Sequence, residues 1–122
     1  MSMSVVDEVI PEVIYRPVCD VVVELPDDDL PLLLSGDMTQ LTLPYRLEVD
    51  YGSYIDALFR VSGEKLRLYV LSFGGKFFKE LNIRDAYQSG FNSLECFKDR
   101  LSECYGCQPW TPLYYYIIKV VL

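Results

Sequence analysis

The strictest alternation of apolar and polar residues runs from Tyr45 to Tyr51. Tyr45, Leu47, Val49 and Tyr51 fall on one side, and Arg46, Glu48 and Asp50 on the other. A two-residue period with one wet side predicts a strand of an antiparallel sheet. Gly52-Ser53 supplies a turn, and Tyr54 to Val61 forms the next strand, with Ile55, Ala57, Phe59 and Val61 on one face. After Ser62-Gly63-Glu64-Lys65 the chain returns as Leu66 to Phe73. Gly74-Gly75 then predicts a tight hairpin into Lys76–Leu81, because adjacent glycines allow positive φ. Upstream, Val18 to Leu25 reads as a strand. Residues 1–17 read as an arm or edge segment, since Pro11 and Pro17 each remove a ladder donor. Residues 26–40 are rich in turn formers and read as an acidic loop with leucines tucked onto the core.

The period changes to helical at Asn92. Leu94, Phe97, Leu101 and Cys104 or Tyr105 recur on one face, Asn92 is a good N-cap with Glu95 three residues on, and Gly106 is placed to end the helix. Residues 82–91 fit a short helical turn or a loop. From Pro112 to Leu122 the chain is aromatic and β-branched, with Lys119 as its one charge. Such a strand is internal to a sheet or buried in an interface. Trp110, between Pro109 and Pro112, is expected to pin the crossover to the core. The expected fold is α+β: an antiparallel β-sheet of about five strands, one main helix at about 92–105 packed on it, and a C-terminal strand. Residues 18–122 would form one domain behind the 1–17 arm.

Charge adds an asymmetry. The chain of 122 residues carries a net −7, but residues 1–57 hold twelve acids against two bases, while residues 58–122 hold nine bases against six acids. Opposed halves suggest electrostatic docking within or between chains. The overall sign makes nucleic acid an unfavoured partner, since binding it uses a basic footprint. Bases interleaved with aromatics do occur locally: Arg60, Lys65, Arg67, Lys76, Lys79 and Arg84 among Phe59, Tyr69, Phe73, Phe77 and Phe78. The start, Met1-Ser2-Met3-Ser4, lacks the basic opening and apolar core of a signal peptide, and no run reaches membrane-spanning length. The reading is an intracellular, soluble protein, cytoplasmic or nuclear, with no membrane span.

Candidate chemistry is sparse. Cys104-Tyr105-Gly106-Cys107 has redox spacing but sits at a helix C-terminus, where the dipole opposes a thiolate. Zinc would need all four cysteines, Cys19, Cys96, Cys104 and Cys107, because histidine is absent. The lack of His also removes the usual general base. Gly74-Gly75-Lys76 lacks the spacing of a phosphate loop. The chain therefore reads as a non-enzyme with no metal and no cofactor.

The helix, Tyr105-Gly106, a short crossover and the aromatic strand Leu113 to Val121 together resemble the core of rhabdovirus matrix proteins. The resemblance covers about the last thirty residues. Those proteins carry a basic amino-terminal arm, whereas this chain begins acidic. The resemblance implies a matrix-like or virus-type accessory role. The residues themselves predict a non-catalytic protein–protein interaction protein: an adaptor, inhibitor or assembly component that self-associates as a homodimer or higher oligomer. Its interface residues would be Tyr45, Tyr54, Trp110, Tyr114 and Tyr116, with Asp27, Asp28 and Asp29 as an acidic docking segment. Two alternatives stand beside it: an acidic mimic that inhibits a nucleic-acid-binding protein, and single-stranded RNA binding by the basic hairpin 60–84.

Overall fold

The computed structural model describes residues 21–122. In chain order the elements are β1 (Val22–Leu25), α1 (Asp29–Ser35), β2 (Gln40–Leu43), β3 (Tyr54–Phe59), β4 (Lys65–Phe77), a 3-10 turn (Phe78–Glu80), α2 (Ile83–Gln88), α3 (Leu94–Tyr105) and β5 (Pro112–Val121). The five strands form one sheet in the order β1-β3-β4-β5-β2, curled into a half-barrel. β1 runs parallel to β3, with Val22 opposite Asp56 and Leu25 opposite Phe59. The other three pairs are antiparallel. The expected all-antiparallel sheet with one main helix is therefore corrected to a mixed sheet with further short helices. The parallel pair follows from the connection, since residues 26–53 are long enough to return the chain in the same direction.

The inner face holds the main core: Val23, Leu25, Ile55, Ala57, Phe59, Leu68, Val70, Tyr116 and Ile118, closed by Leu33, Met38, Leu41, Leu43 and Leu47. A second cluster of Leu81, Ala86, Phe97, Leu101 and Leu113 lies where α2 and α3 pack on the other face. β4 carries a bulge. Val70 pairs with Ile118 and Ser72 with Ile117, so Leu71 is an extra residue. It shifts the alternation by one and turns Phe73 toward the core.

Several local expectations change. Residues 26–40 are not only loop: Leu30 and Leu33 fall at helical spacing, and Asp29–Ser35 is helical, with Leu33 buried. Pro31 is tolerated in its first turn, where the amide has no helical partner anyway. Tyr45–Tyr51 makes no strand. Its alternation is met by packing instead: Leu47 is buried, Val49 packs against the core, and the Leu47 amide donates to the Tyr116 hydroxyl at 2.7 Å. Gly74-Gly75 does not end β4, and neither has positive φ. α3 starts one residue later than expected, with Ser93 as N-cap accepting from the Cys96 amide, and Gly106 closes it at φ 65°. Asn82–Phe91 resolves into α2, capped by Asn82. Trp110 is 68% exposed and pins nothing. The 1–17 arm lies outside the described residues.

The Tyr116 hydroxyl is the partner of a buried backbone amide of a segment that has no ladder of its own. Tyr116→Phe leaves that amide unpaired, and urea denaturation should show a loss of about 1–3 kcal/mol.

Candidate functional site

The outer face of the sheet carries an aromatic and basic row built by register alone. Tyr54 of β3 pairs with Tyr69 of β4, and Tyr69 with Lys119 of β5. The Tyr54 and Tyr69 rings meet edge to face at 5.4 Å. Arg67, one pair along, stands over the Tyr54 ring at 5.2 Å and also bonds Asp56 at 3.1 Å. On the same face, about 13 Å further along β5 at 3.3 Å per residue, Tyr115 lies across Gly74. A Cβ built on Gly74 would meet the Tyr115 hydroxyl oxygen at 2.5 Å and its ring at 2.7 Å. Glycine at 74 is thus what lets this ring lie flat on the strand. The Lys76 ammonium sits 5.6 Å from the Tyr115 ring centre.

Lys76 is held in place by Asp85. The Asp85 carboxylate is 2.9 Å from Lys76 Nζ, accepts the Asn82 amide at 2.9 Å and accepts Gln40 Nε2 at 3.3 Å. Gln40 Nε2 also donates to Thr42 Oγ1 at 3.1 Å. One buried carboxylate therefore ties α2 to both β4 and β2.

A cleft opens between β2, the β1–α1 corner and α3. It is small, with an interior of about 50 Å³ open to water, among Leu25, Met38, Gln40, Leu41, Thr42, Phe91, Phe97 and Leu101, with Cys104 and Tyr105 also lining it. Its charged groups are Asp29 and Arg100, and Gln40, Thr42, Ser89 and Tyr105 are polar residues of the same lining. Arg100 Nη2 is 3.3 Å from Asp29 Oδ1, and its guanidinium also lies 5.7 Å from the Phe91 ring. Burial pushes the Asp29 carboxyl up to about 6, outweighing the attraction of Arg100, with Asp28 adding a smaller push in the same direction. Burial likewise pushes the Tyr105 phenol up to about 12. Ser89 is 3% exposed, and its hydroxyl has no partner among the described residues.

The residues singled out from sequence do not form one patch. Tyr116 is in the core and Tyr114 packs half-buried against it, so neither is a surface anchor. Tyr45, Tyr54 and Trp110 are exposed, but only Tyr54 stands on the outer sheet face. The three aspartates split up. Asp27 caps the β3–β4 turn, accepting the amides of Val61 at 2.9 Å and Ser62 at 3.0 Å, and the Val61 bond foremost holds its carboxyl below the usual range. Asp29 faces Arg100, which leaves Asp28 exposed between them. Among the bases, Arg60 pairs with Glu24 at 3.3 Å, Lys76 turns inward to Asp85, Lys65 and Arg67 line the outer face, and Lys79 and Arg84 are exposed. Sequence reasoning missed Tyr69, Tyr115 and Lys119 as one surface. The available signal was a glycine pair that could serve as a bed for a ring on the aromatic strand. It also missed Ser89, Gln40 and Arg100, whose roles depend on long-range contacts. Cys96, Cys104 and Cys107 are free thiols, and burial raises the Cys107 thiol.

No family model and no curated protein matches the sequence. Solved structures do match in fold. A DUF984 protein from Enterococcus faecalis V583 superimposes with a TM-score of 0.63 at 16% identity, covering 84% of this chain and 76% of that one. An ASCH domain from Lactobacillus crispatus JV V101 gives 0.62 at 14%, covering 89% and 87%. The ASCH protein of Zymomonas mobilis gives 0.61 at 12%, covering 80% and 65%. The chain is ASCH-like in fold. This likeness to DUF984 and ASCH structures overturns the reading as a self-associating adaptor, inhibitor or assembly component, and with it the matrix-like and viral accessory role. The matrix resemblance rested on a helix, a crossover and a strand, which many α+β folds share. Among the described residues no helix is long and apolar enough to cross a membrane.

Asp29 sets a pH dependence of known sign. Its folded-state pKa of about 6 exceeds the ordinary 3.8, so the folded protein binds the proton more tightly than the unfolded chain. Its contribution is fully present below about pH 4 and is lost as pH rises to about 6. Asp29→Asn, which imitates the neutral acid, should gain on wild type by on the order of 2–3 kcal/mol between pH 4 and pH 7 in urea denaturation. A constant difference across that range would contradict the assignment.

Proposed function

We propose that the protein binds single-stranded RNA along the outer face of its sheet, without catalysing a reaction. The observation that carries this reading is the row Tyr54–Tyr69–Lys119, two rings and a cation side by side on three adjacent strands. Bases stack on exposed rings whatever their identity, and cations beside the rings take the phosphates. Tyr115 with Lys76 offers a second place for a base, beyond the first row along β5. The ASCH-like fold supports the same reading.

The net charge of −7 is unevenly spread, and several acids lie away from this row. Asp27 sits at the β3–β4 turn, Asp29 is buried in the cleft, and Asp85 is buried under α2. A strand on the sheet would meet Lys65, Arg67 and Lys119, and with them Asp56, which pairs with Arg67. The three free thiols fit an intracellular, reducing setting.

Fluorescence anisotropy with a labelled oligouridine tests the proposal. At low salt the full chain should bind, with affinity falling as salt rises. Tyr69→Ala should weaken binding by about 1–3 kcal/mol, roughly 5- to 150-fold. Lys119→Ala should reduce the slope of log affinity against log salt by about 0.7. No binding at low salt, or binding unchanged by both substitutions, rejects this face as the site.

A further inference from the structure

We infer that the cleft between β2 and α3 is a binding site for a small, flat, uncharged molecule with an amide-type edge, held by Asp29, Arg100 and Ser89. The inference does not depend on RNA binding by the outer face, because the residues differ.

Three observations point to that chemistry. The first is Ser89. A hydroxyl 3% exposed and without a partner among the described residues is unusual, because buried polar groups are nearly always paired. Here it lies in the lining of a cleft that opens to solvent, where a ligand atom can supply the missing bond. The second is the Asp29–Arg100 pair. Arg100 takes Oδ1 of Asp29, and among the described residues Oδ2 accepts no hydrogen bond. The pair thus presents an acceptor beside a donor while remaining neutral as a whole. An anion would meet the carboxylate and a cation the guanidinium, but an edge with N–H next to C=O satisfies both. The third is the wall. Phe91, Phe97 and Leu101 stand beside the polar groups in the lining, the mix of apolar walls and a small number of polar groups that small-molecule sites show. Apolar walls suit a flat ring, and the convergent polar groups orient it.

A cyclic amide of this kind can arrive as a free molecule or as a base within a strand. Isothermal titration of the full chain with uracil and benzamide, against benzoate and benzylamine as charged controls, tests the shared chemistry. A neutral probe should bind at least about tenfold more tightly than either charged control, since a buried charge without its own partner is penalised. Ser89→Ala and Asp29→Asn should each weaken the neutral probe about tenfold, a loss typical of a hydrogen bond to a polar site. Ser89→Ala removes only an unpartnered hydroxyl, so its fold is kept, and thermal unfolding checks this. Tyr69→Ala should leave uracil binding unchanged, which separates the cleft from the outer face. If Ser89→Ala weakens oligouridine as well as uracil, the occupant comes from a strand. If only uracil binding falls, the occupant is a free molecule. The inference is overturned if neither neutral probe binds, if the charged controls bind as well, or if both cleft variants bind uracil as wild type does.

Discussion

Everything on the helical side of this protein depends on one carboxylate, that of Asp85. It is buried, it belongs to the first turn of α2, and it takes hydrogen bonds from three places at once: the Asn82 amide at the start of its own helix, Lys76 on β4 and Gln40 on β2. A buried carboxylate is costly unless so satisfied. Once satisfied, it fixes α2 against the sheet, because no apolar contact could replace all three bonds in direction. α2 is only Ile83–Gln88, too short to be stable by itself in water. The anchor lets it cover Ala86 and Leu81 in the second cluster and bring Ser89 to the cleft.

How far the sequence reveals this varies by element. The strands β3 and β5 and the helix α3 are legible, because periodicity, caps and the closing Gly106 all agree there. Gly74-Gly75 misleads, since adjacent glycines suit both a turn and a strand on which a ring must lie, and only the strand across from them decides. Tyr45–Tyr51 misleads for a related reason. Alternation reports which side chains are buried, not whether the backbone has a neighbour, and here the Leu47 amide is answered by a tyrosine hydroxyl. The parallel β1–β3 pair and the cleft are not legible at all. Asp29 and Arg100 are far apart in sequence, and both look like ordinary surface charges.

Charge is distributed with more order than the totals of the two halves suggest. Two acids of the first half are used locally, Asp27 at a turn and Asp29 beside a guanidinium, while three bases of the second half, Lys65, Arg67 and Lys119, face outward on the sheet. Net charge is therefore a poor guide to what this surface attracts. A strand lying within a few ångströms of Lys119 feels it more than carboxylates a Debye length away, which is about 8 Å at physiological ionic strength, whereas Asp56, 3.1 Å from Arg67, offsets part of that cation's charge.

The position of β5 in the sheet has a consequence for how the chain reaches its native state. β5 lies between β4 and β2, yet in sequence it follows every other strand. The β3–β4 hairpin is local and can form early, and β1 can then add to it in parallel. β2, however, has no strand to join until residues 112–121 are available, and it must wait with Leu41 and Leu43 uncovered. Pairings that span such a distance along the chain slow folding. On a ribosome, the two parts of the sheet would meet only after residue 121 has cleared the exit tunnel, so β1, β3 and β4 can assemble during synthesis while closure of the sheet over β2 is expected to be a late event.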